Sequence, residues 1–295
     1  MVSARTGAAV LAAATLTIVL WGATPVATKA AVASIDPVLV GILRTVLAGA
    51  AAIPVILFLG IRPPSGRRAM SMLALSAVCG FIGFPILFSL GQRFTSAAHG
   101  ALILATLPLF TGIFAAILDR RPPGRRWWIG CAIAIGGEAL LIGSSSGFDG
   151  DGSGLFGDAV ILASALLASL GYVTGAHLSR SGYGTWGTTF WGVVVASGVL
   201  LPAIPLAWDW SAWTGAGVVG WGAVAYLAIG STILAYVAWY WALGAGGIAR
   251  IGLFQFFQPM VGVVLAAVLL SEPVTVPLLL SAGVILSGVF IARRT

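Results

Sequence analysis

Aromatic and polar side chains share one face of an apolar segment in the first third of the chain. Phe81, Pro85, Phe88 and Gln92 follow one another at intervals of four, three and four residues, which places them on one side of an α-helix. Aromatic rings can cover the apolar part of an organic solute and attract an ammonium group, and an amide offers hydrogen bonds. This face therefore predicts either a binding surface for an amphipathic molecule or simple packing between helices.

A second set of aromatic and hydroxyl side chains lies 151 residues further along the chain. Thr232, Tyr236 and Trp239 correspond to Phe81, Pro85 and Phe88 under this shift. Trp21 and Tyr172 are related in the same way. The residues that we take as candidates for binding a substrate are Trp21, Phe81, Phe88, Gln92, His99, Tyr236, Trp239, Tyr240, Gln255 and Gln258.

Several polar residues inside or next to apolar runs leave two interpretations open. Gln255 and Gln258 lie three residues apart and either bind substrate or hold helices together. His99 and Glu138 are candidates for proton coupling, since histidine titrates near neutral pH and a buried acid is costly in a membrane. The alternatives are a structural role for His99, and an ion pair or a subunit contact for Glu138.

Two basic residues lie in the outer parts of the first two apolar runs. Lys29 either touches the path of the substrate or reaches the membrane interface. For Arg44 we predict that the long side chain extends to the interface and keeps its charge in water.

The composition shows which elements must position these side chains. The 295 residues are 59% hydrophobic and only 8% charged, whereas a soluble domain carries about 25% charged residues. The chain is therefore predicted to be an integral membrane protein, which excludes a soluble enzyme and a secreted disulfide scaffold. Cys79 and Cys131 lie within apolar runs and are predicted to be free, buried thiols.

Ten apolar runs are long enough to be candidate membrane-spanning helices, which predicts an all-α protein. They are Ala8–Ala33, Val38–Gly60, Ser71–Gly91, Ala97–Leu118, Trp127–Gly143, Gly157–Leu178, Trp186–Ala207, Gly217–Leu243, Ile251–Leu270 and Val276–Ala292. With ten spans and a cytoplasmic N-terminus, every basic residue except Lys29, Arg44 and Arg93 faces the cytoplasm. This distribution predicts that both termini are cytoplasmic and that the membrane is a bacterial-type inner membrane.

Prolines indicate an internal repeat. Pro54 corresponds to Pro205, and Pro108 to Pro259, under the same shift of 151 residues. Because five predicted spans separate the copies, the second enters the membrane from the opposite side, as in many secondary transporters. We predict two inverted five-helix repeats, residues 1–148 and 149–295. The prolines predicted to break helices or to act in gating are Pro25, Pro85, Pro108 and Pro259.

Short motifs spread along the chain resemble the EamA-type, ten-helix branch of the drug/metabolite transporter superfamily. They are LWGATP at 20–25, LATLPLF at 104–110, FQPMV at 257–261, LSEP at 270–273 and the stretch from Gly283 to Gly288. The acid that commonly follows both helix 4 and helix 9 in this family is present as Glu272, but Arg121 stands at the matching first-copy position.

The resemblance implies export or exchange of small metabolites by alternating access, with no cofactor, metal, catalytic residue or nucleic-acid partner. Within the family the chain is similar to amino-acid exporters, including those for aromatic amino acids. Drugs, sugars and nucleosides remain alternative substrates. A membrane-embedded enzyme and a channel are the competing classes. A nucleotide-binding P-loop is excluded, because the single lysine, Lys29, has no glycine-rich segment before it.

Overall fold

A computed structural model of the protein describes residues 4–120, 124–145, 153–208, 215–246 and 257–292. Within these ranges the chain is helical almost throughout and forms no strand, which confirms the predicted all-α class. Seven helical stretches are long and apolar enough to cross a membrane. They are Gly7–Val32, Pro37–Leu59, Arg67–Phe94, Ala97–Leu118, Ser153–Leu178, Thr185–Ala207 and Gly217–Trp239.

The first half of the chain forms eight α-helices, several of which continue one another across a bend. They are α1 (Ala4–Gly22), α2 (Thr24–Val32), α3 (Pro37–Leu59), α4 (Arg67–Ser76), α5 (Phe84–Phe94), α6 (Ala97–Ile103), α7 (Leu107–Asp119) and α8 (Arg125–Ser145). A π-helical segment, Ala77–Gly83, joins α4 to α5, and a 3₁₀ turn, Leu104–Thr106, joins α6 to α7.

The described part of the second half forms seven α-helices. They are α9 (Ser153–Leu178), α10 (Thr185–Leu200), α11 (Ile204–Ala207), α12 (Gly217–Ala225), α13 (Ala235–Gly246), α14 (Gln258–Leu270) and α15 (Val276–Ala292). A π-helical segment, Ser179–Tyr183, follows α9, a 3₁₀ turn, Leu201–Ala203, joins α10 to α11, and a second π-helical segment, Tyr226–Leu234, joins α12 to α13.

Departures from regular helix recur at the shift of 151 residues. Residues 77–83 correspond to 228–234, and both stretches are π-helical. Arg120 and Ser271, also 151 residues apart, end α7 and α14 in the left-handed conformation, with φ of 53° and 54°. α7 and α14 each carry a proline in their first turn.

The helices pack side by side in pairs that are distant in sequence, and large apolar side chains cover the outside. α3 lies along α10, α5 along α9, and α8 along α15. Phe58, Leu206 and Val218 are each about nine-tenths exposed, which suits a surface in contact with lipid. Cys79 and Cys131 are buried and free, as predicted.

The helices differ from the predicted runs mainly at their ends. The third predicted run, Ser71–Gly91, forms part of a longer bent helical stretch, Arg67–Phe94. The predicted run Trp127–Gly143 lies within α8. The start of the predicted run Ile251–Leu270 lies outside the described residues, and the helix α14 covers the rest.

Candidate functional site

Five aromatic side chains meet in the interior of the bundle. The ring of Tyr236 lies 5.1 Å from that of Trp21, 5.8 Å from Phe81 and 6.3 Å from Tyr172, between ring centres. Trp239 adds a ring 5.5 Å from Trp21. Trp21, Phe81, Tyr236 and Trp239 are buried, so the sequence-predicted candidates from both halves of the chain come together here. We call these five residues the aromatic cluster.

A narrow cleft ends at the aromatic cluster. It runs towards the end of the bundle where α4 and α10 begin, and it is wide enough for about one water molecule. The residues that line the cleft are Ser76, Gly80, Phe81, Gly171, Tyr172, Thr188, Thr189 and Tyr236. The cleft therefore combines aromatic faces with hydroxyl groups.

A close approach of two backbones forms one wall of the cleft. A Cβ at Gly171 would lie 2.8 Å from the backbone nitrogen of Gly80 and 2.9 Å from its Cα, so only glycine fits on α9 at this point. The hydroxyl of Ser76 donates to the carbonyl oxygen of Gly171 at 3.0 Å. These contacts hold α9 against the first π-helical segment.

Arg44 is buried in the interior, which contradicts the prediction that it extends to the membrane interface. Only 5% of its surface is exposed. Its Nε donates to the hydroxyl of Thr232 at 3.1 Å and its Nη2 to the hydroxyl of Ser231 at 3.2 Å. The guanidinium also lies over the ring of Phe84, 5.6 Å from the ring centre. The prediction was wrong because hydroxyl groups of the second π-helical segment solvate the charge inside the bundle.

The second π-helical segment also binds the end of α1. Trp21 Nε1 donates to the carbonyl oxygen of Ser231 at 3.0 Å, and the hydroxyls of Thr24 and Ser231 are 2.7 Å apart. Arg44, the aromatic cluster and the bend between α1 and α2 are thereby joined in one network.

His99 belongs to a separate polar group at the N-terminal end of α6. Its Nδ1 lies 3.0 Å from the carboxylate of Asp158, which also accepts a hydrogen bond from the hydroxyl of Thr95. Lys29 donates to the backbone oxygens of Gln92 and Thr95, at 2.9 and 2.6 Å. His99 thus lies in an ion pair, and Lys29 binds backbone at the same end of the bundle.

Glu272 closes a contact between the two halves of the chain at this end. Its carboxylate oxygens accept hydrogen bonds from the backbone nitrogens of Ala97 and Ala98, at 2.7 and 2.9 Å. A carboxylate is favourable at a helix N-terminus, where backbone N–H groups lack partners. Arg121, at the matching position of the first half, lies outside the described residues.

Two candidates from the sequence lie away from the cleft. Phe88 is fully buried and packs on Phe84 with ring centres 5.4 Å apart. Gln92 is also fully buried, and its Nε2 donates to the carbonyl oxygen of Ser96 at 3.3 Å. The face that carries Phe81 and Pro85 therefore passes from the cleft into the packed core as α5 proceeds.

Three of the four predicted helix-breaking prolines are described together with their surroundings. Pro25, Pro85 and Pro259 are buried in the first turns of α2, α5 and α14. Gln258, which precedes Pro259, is 9% exposed. Pro108 lies in the first turn of α7, but its side chain is not among those described. Neither Pro259 nor Gln258 lines the cleft, which lies against α9 and α10 rather than α6 and α14.

The remaining candidates fall on parts of the chain that the structure does not describe. The side chains of Glu138 and Tyr240 are not described, although both residues lie within helices. Gln255 lies in the segment 247–256, outside the described residues. Among the described residues no group of three or more His, Cys, Asp or Glu side chains has an arrangement that could hold a metal ion.

Sequence reasoning missed the roles of Arg44, Ser231 and Thr232. The available signal was the position of Arg44, which is the eighth residue of an otherwise apolar helix and hence about 10 Å from its start. A residue so deep in a helix needs a partner inside the bundle, and the hydroxyl pair Ser231–Thr232 lies on a different, equally apolar segment.

Comparison with known proteins places this geometry in a family. The profile of the EamA-like transporter family matches residues 8–143 and again residues 155–294. An uncharacterized transporter, YdeK of Bacillus subtilis, is 33% identical, with 91% of both chains covered. A probable terminal-alkyne amino-acid exporter of Streptantibioticus cattleyicolor is 27% identical, with 80% of this chain and 77% of the exporter covered.

A solved crystal structure shares the fold. It superimposes with a TM-score of 0.65 at 18% sequence identity, and 97% of both chains is covered. The family and the named relatives are transporters, not enzymes. Since the family profile matches nearly the whole length in two copies, the chain belongs to the EamA-like transporter family.

Proposed function

We propose that the protein is a secondary transporter that exports or exchanges small amphipathic metabolites, above all amino acids, across the inner membrane by alternating access. The observation that carries this proposal is the aromatic cluster at the inner end of the cleft. Trp21, Phe81, Tyr172 and Tyr236 offer ring faces, and Thr188 and Thr189 offer hydroxyls nearby. An amino acid has an apolar part and an ammonium group, and both suit such surroundings.

The proposal includes ten membrane spans arranged as two inverted repeats, residues 1–148 and 149–295. Helices α8, α14 and α15 would then cross the membrane together with the seven longer stretches. The paired π-helical segments and the left-handed residues Arg120 and Ser271 support the repeat, because all keep the spacing of 151 residues. The two matches to the family profile fall on either side of the proposed boundary.

Alternating access requires that the cluster open to each side in turn. The cleft leads from one end of the bundle, which the arginine distribution predicts to be cytoplasmic. At the other end, the contact of Glu272 with Ala97 and Ala98 joins the two halves. We propose that this contact breaks when the protein opens outwards.

Proton coupling is proposed at His99. The imidazole can exchange a proton near neutral pH, and Asp158 offers it a counter-charge in an ion pair. Glu138 in α8 remains the second candidate for this role.

The test is efflux from proteoliposomes that are loaded with radiolabelled amino acids, with and without a pH gradient. Saturable efflux of one group of amino acids would support the proposal and identify the substrate class. Efflux of sugars or nucleosides alone would contradict the amino-acid part and retain the transporter. Protein-free liposomes, and liposomes with the Tyr236→Ala variant, serve as matched controls.

A further inference from the structure

The guanidinium of Arg44 is a positive charge without a carboxylate partner. Arg44 is 5% exposed, and it forms no ion pair with any acidic residue that the structure describes. A charge in a low-dielectric interior is expensive unless an opposite charge or several hydrogen bonds compensate it. The hydrogen bonds of Arg44 therefore show how much of this cost the protein itself offsets.

The protein's own hydroxyl groups occupy only part of the guanidinium. Thr232 accepts from Nε, and its own hydroxyl proton is donated to the carbonyl oxygen of Leu227 at 2.8 Å. Ser231 accepts from Nη2 and is 2.7 Å from the hydroxyl of Thr24. Nη1 is buried and has no hydrogen-bond partner among the described residues. Two of the five N–H groups of the guanidinium are thus left without an acceptor.

The free side of Arg44 lies in the surroundings of the proposed substrate. Tyr172 and Tyr236, which line the cleft, and Tyr226 are all within electrostatic range of the guanidinium. Tyr226 itself donates to the carbonyl oxygen of Leu20, one residue before Trp21. Arg44 is therefore next to the aromatic cluster rather than at a remote packing site.

We propose that Arg44 binds the carboxylate of the transported solute through Nη1, so that the substrate class is small organic acids that carry an apolar part, amino acids included. The proposal rests on the proposed transport function. A carboxylate would supply both the missing acceptor and the missing counter-charge, and charge-assisted hydrogen bonds of this kind are the strong ones. The ammonium group and the side chain of an amino acid would then lie against the rings of Trp21 and Tyr236.

The primary test compares acids with their amides on the wild-type protein. In proteoliposomes, L-phenylalanine and L-leucine compete with a labelled amino acid for counterflow, in parallel with L-phenylalaninamide and L-leucinamide. The account predicts that each acid competes at a concentration at least about 10-fold lower than its amide, because a buried polar site rejects an analogue that leaves it unpaired. Equal competition by acid and amide would overturn the proposal without any variant.

The second test removes the guanidinium. Arg44→Gln should reduce the preference for acid over amide to within about twofold, whereas Arg44→Lys, which keeps the charge, should retain part of it. Arg93→Gln is the matched control, since Arg93 donates to the backbone oxygen of Val32 at the end of the bundle and should keep the wild-type preference. A full preference in Arg44→Gln would overturn the proposal. If that variant does not fold, as judged by size-exclusion chromatography, Arg44→Lys and the wild-type ratio decide.

Failure of the proposed function gives a different result. If no amino acid supports counterflow, the same acid and amide pairs, together with benzoate and benzamide, are added to the detergent-solubilised protein during thermal unfolding. Stabilisation by acids but not by amides, which is lost in Arg44→Gln, would retain the carboxylate site and contradict amino-acid transport. No difference between acids and amides would overturn the carboxylate site.

Discussion

The hydroxyl of Tyr236 donates a hydrogen bond to the hydroxyl of Tyr172 across 3.4 Å, which joins α13 to α9 at the inner end of the cleft. Tyr172 is the repeat counterpart of Trp21, and both rings contact Tyr236. Tyr236 is therefore the residue that links the counterparts from the two halves of the chain.

Removal of the Tyr236 ring should weaken substrate binding more than any other single change in the aromatic cluster. Tyr236→Ala removes the ring that Trp21, Phe81 and Tyr172 contact, and we expect the half-saturation concentration for transport to rise at least about 10-fold, since a buried aromatic contact contributes on the order of 1–2 kcal/mol. Tyr236→Phe keeps the ring and should raise it less than about threefold. Concentration-dependent efflux from proteoliposomes measures both.

The control for this prediction is an aromatic residue at the surface. Phe156 is about half exposed and contacts only the ring of Phe94 among the ring contacts of the described residues. Phe156→Ala should leave the half-saturation concentration unchanged. An effect of Phe156→Ala as large as that of Tyr236→Ala would contradict a specific role for the cluster.

Loss of the His99 imidazole should uncouple transport from the pH gradient. His99→Gln removes the group that can exchange a proton beside Asp158, while a polar side chain of similar size remains. We expect efflux to lose its stimulation by a pH gradient, and exchange at equal pH on both sides to persist. Efflux with and without the gradient measures the loss.

Two further variants make the histidine prediction specific. His177→Gln changes the other histidine and should keep the response to the gradient. If Glu138→Gln abolishes the response while His99→Gln retains it, the proton site lies at Glu138 and the assignment to His99 is wrong.

The contact between α8 and α15 should tolerate no side chain at Gly288. A Cβ there would lie 2.5 Å from the carbonyl oxygen of Gly130 and also against the backbone nitrogen of Ala134. Gly288→Ala should therefore destabilise the protein by about 1–3 kcal/mol through overpacking. The midpoint of thermal unfolding in detergent should fall by several degrees.

Gly283 on the same helix provides the matched control. A Cβ at Gly283 would meet nothing within 4 Å. Gly283→Ala should thus leave the unfolding midpoint unchanged or raise it slightly. A similar decrease in both variants would show that α15 responds to alanine in general and not to the close contact.

Labelling of single cysteines should show opposite exposure for the two connections on either side of α3. In a background with Cys79→Ala and Cys131→Ala, Ala33→Cys should react in whole cells with a maleimide that cannot cross membranes. Ser65→Cys should react only after the membrane is permeabilised, since the arginines around it predict a cytoplasmic location. The reverse pattern would contradict the proposed orientation.

The sequence was sufficient for the fold class and for part of the site. Continuous apolar runs predicted the helices, because a chain with so few charges must form them in lipid. The spacing of 151 residues brought Trp21, Phe81, Tyr236 and Trp239 onto the candidate list, and the structure places all four in one cluster.

The remaining features depend on helix geometry that hydropathy does not encode. Periodicity placed Phe88 and Gln92 on the same face as Phe81, but the π-helical turn before α5 changes the direction of that face and both lie in the core. Arg44 was assigned to the interface because its acceptors, Ser231 and Thr232, are nearly 190 residues away. The cleft itself is formed by small residues such as Gly171, which have no distinctive pattern in an apolar sequence.

Counterflow tests the central claim, which is alternating access for amino acids, most directly. Proteoliposomes are loaded with a high concentration of an unlabelled amino acid and diluted into a trace of the same labelled amino acid. The account predicts that the label accumulates transiently above its outside concentration, that accumulation saturates, and that Tyr236→Ala reduces it. Label that only equilibrates, without transient accumulation, for every amino acid would contradict the account, because a channel gives that result and a carrier does not.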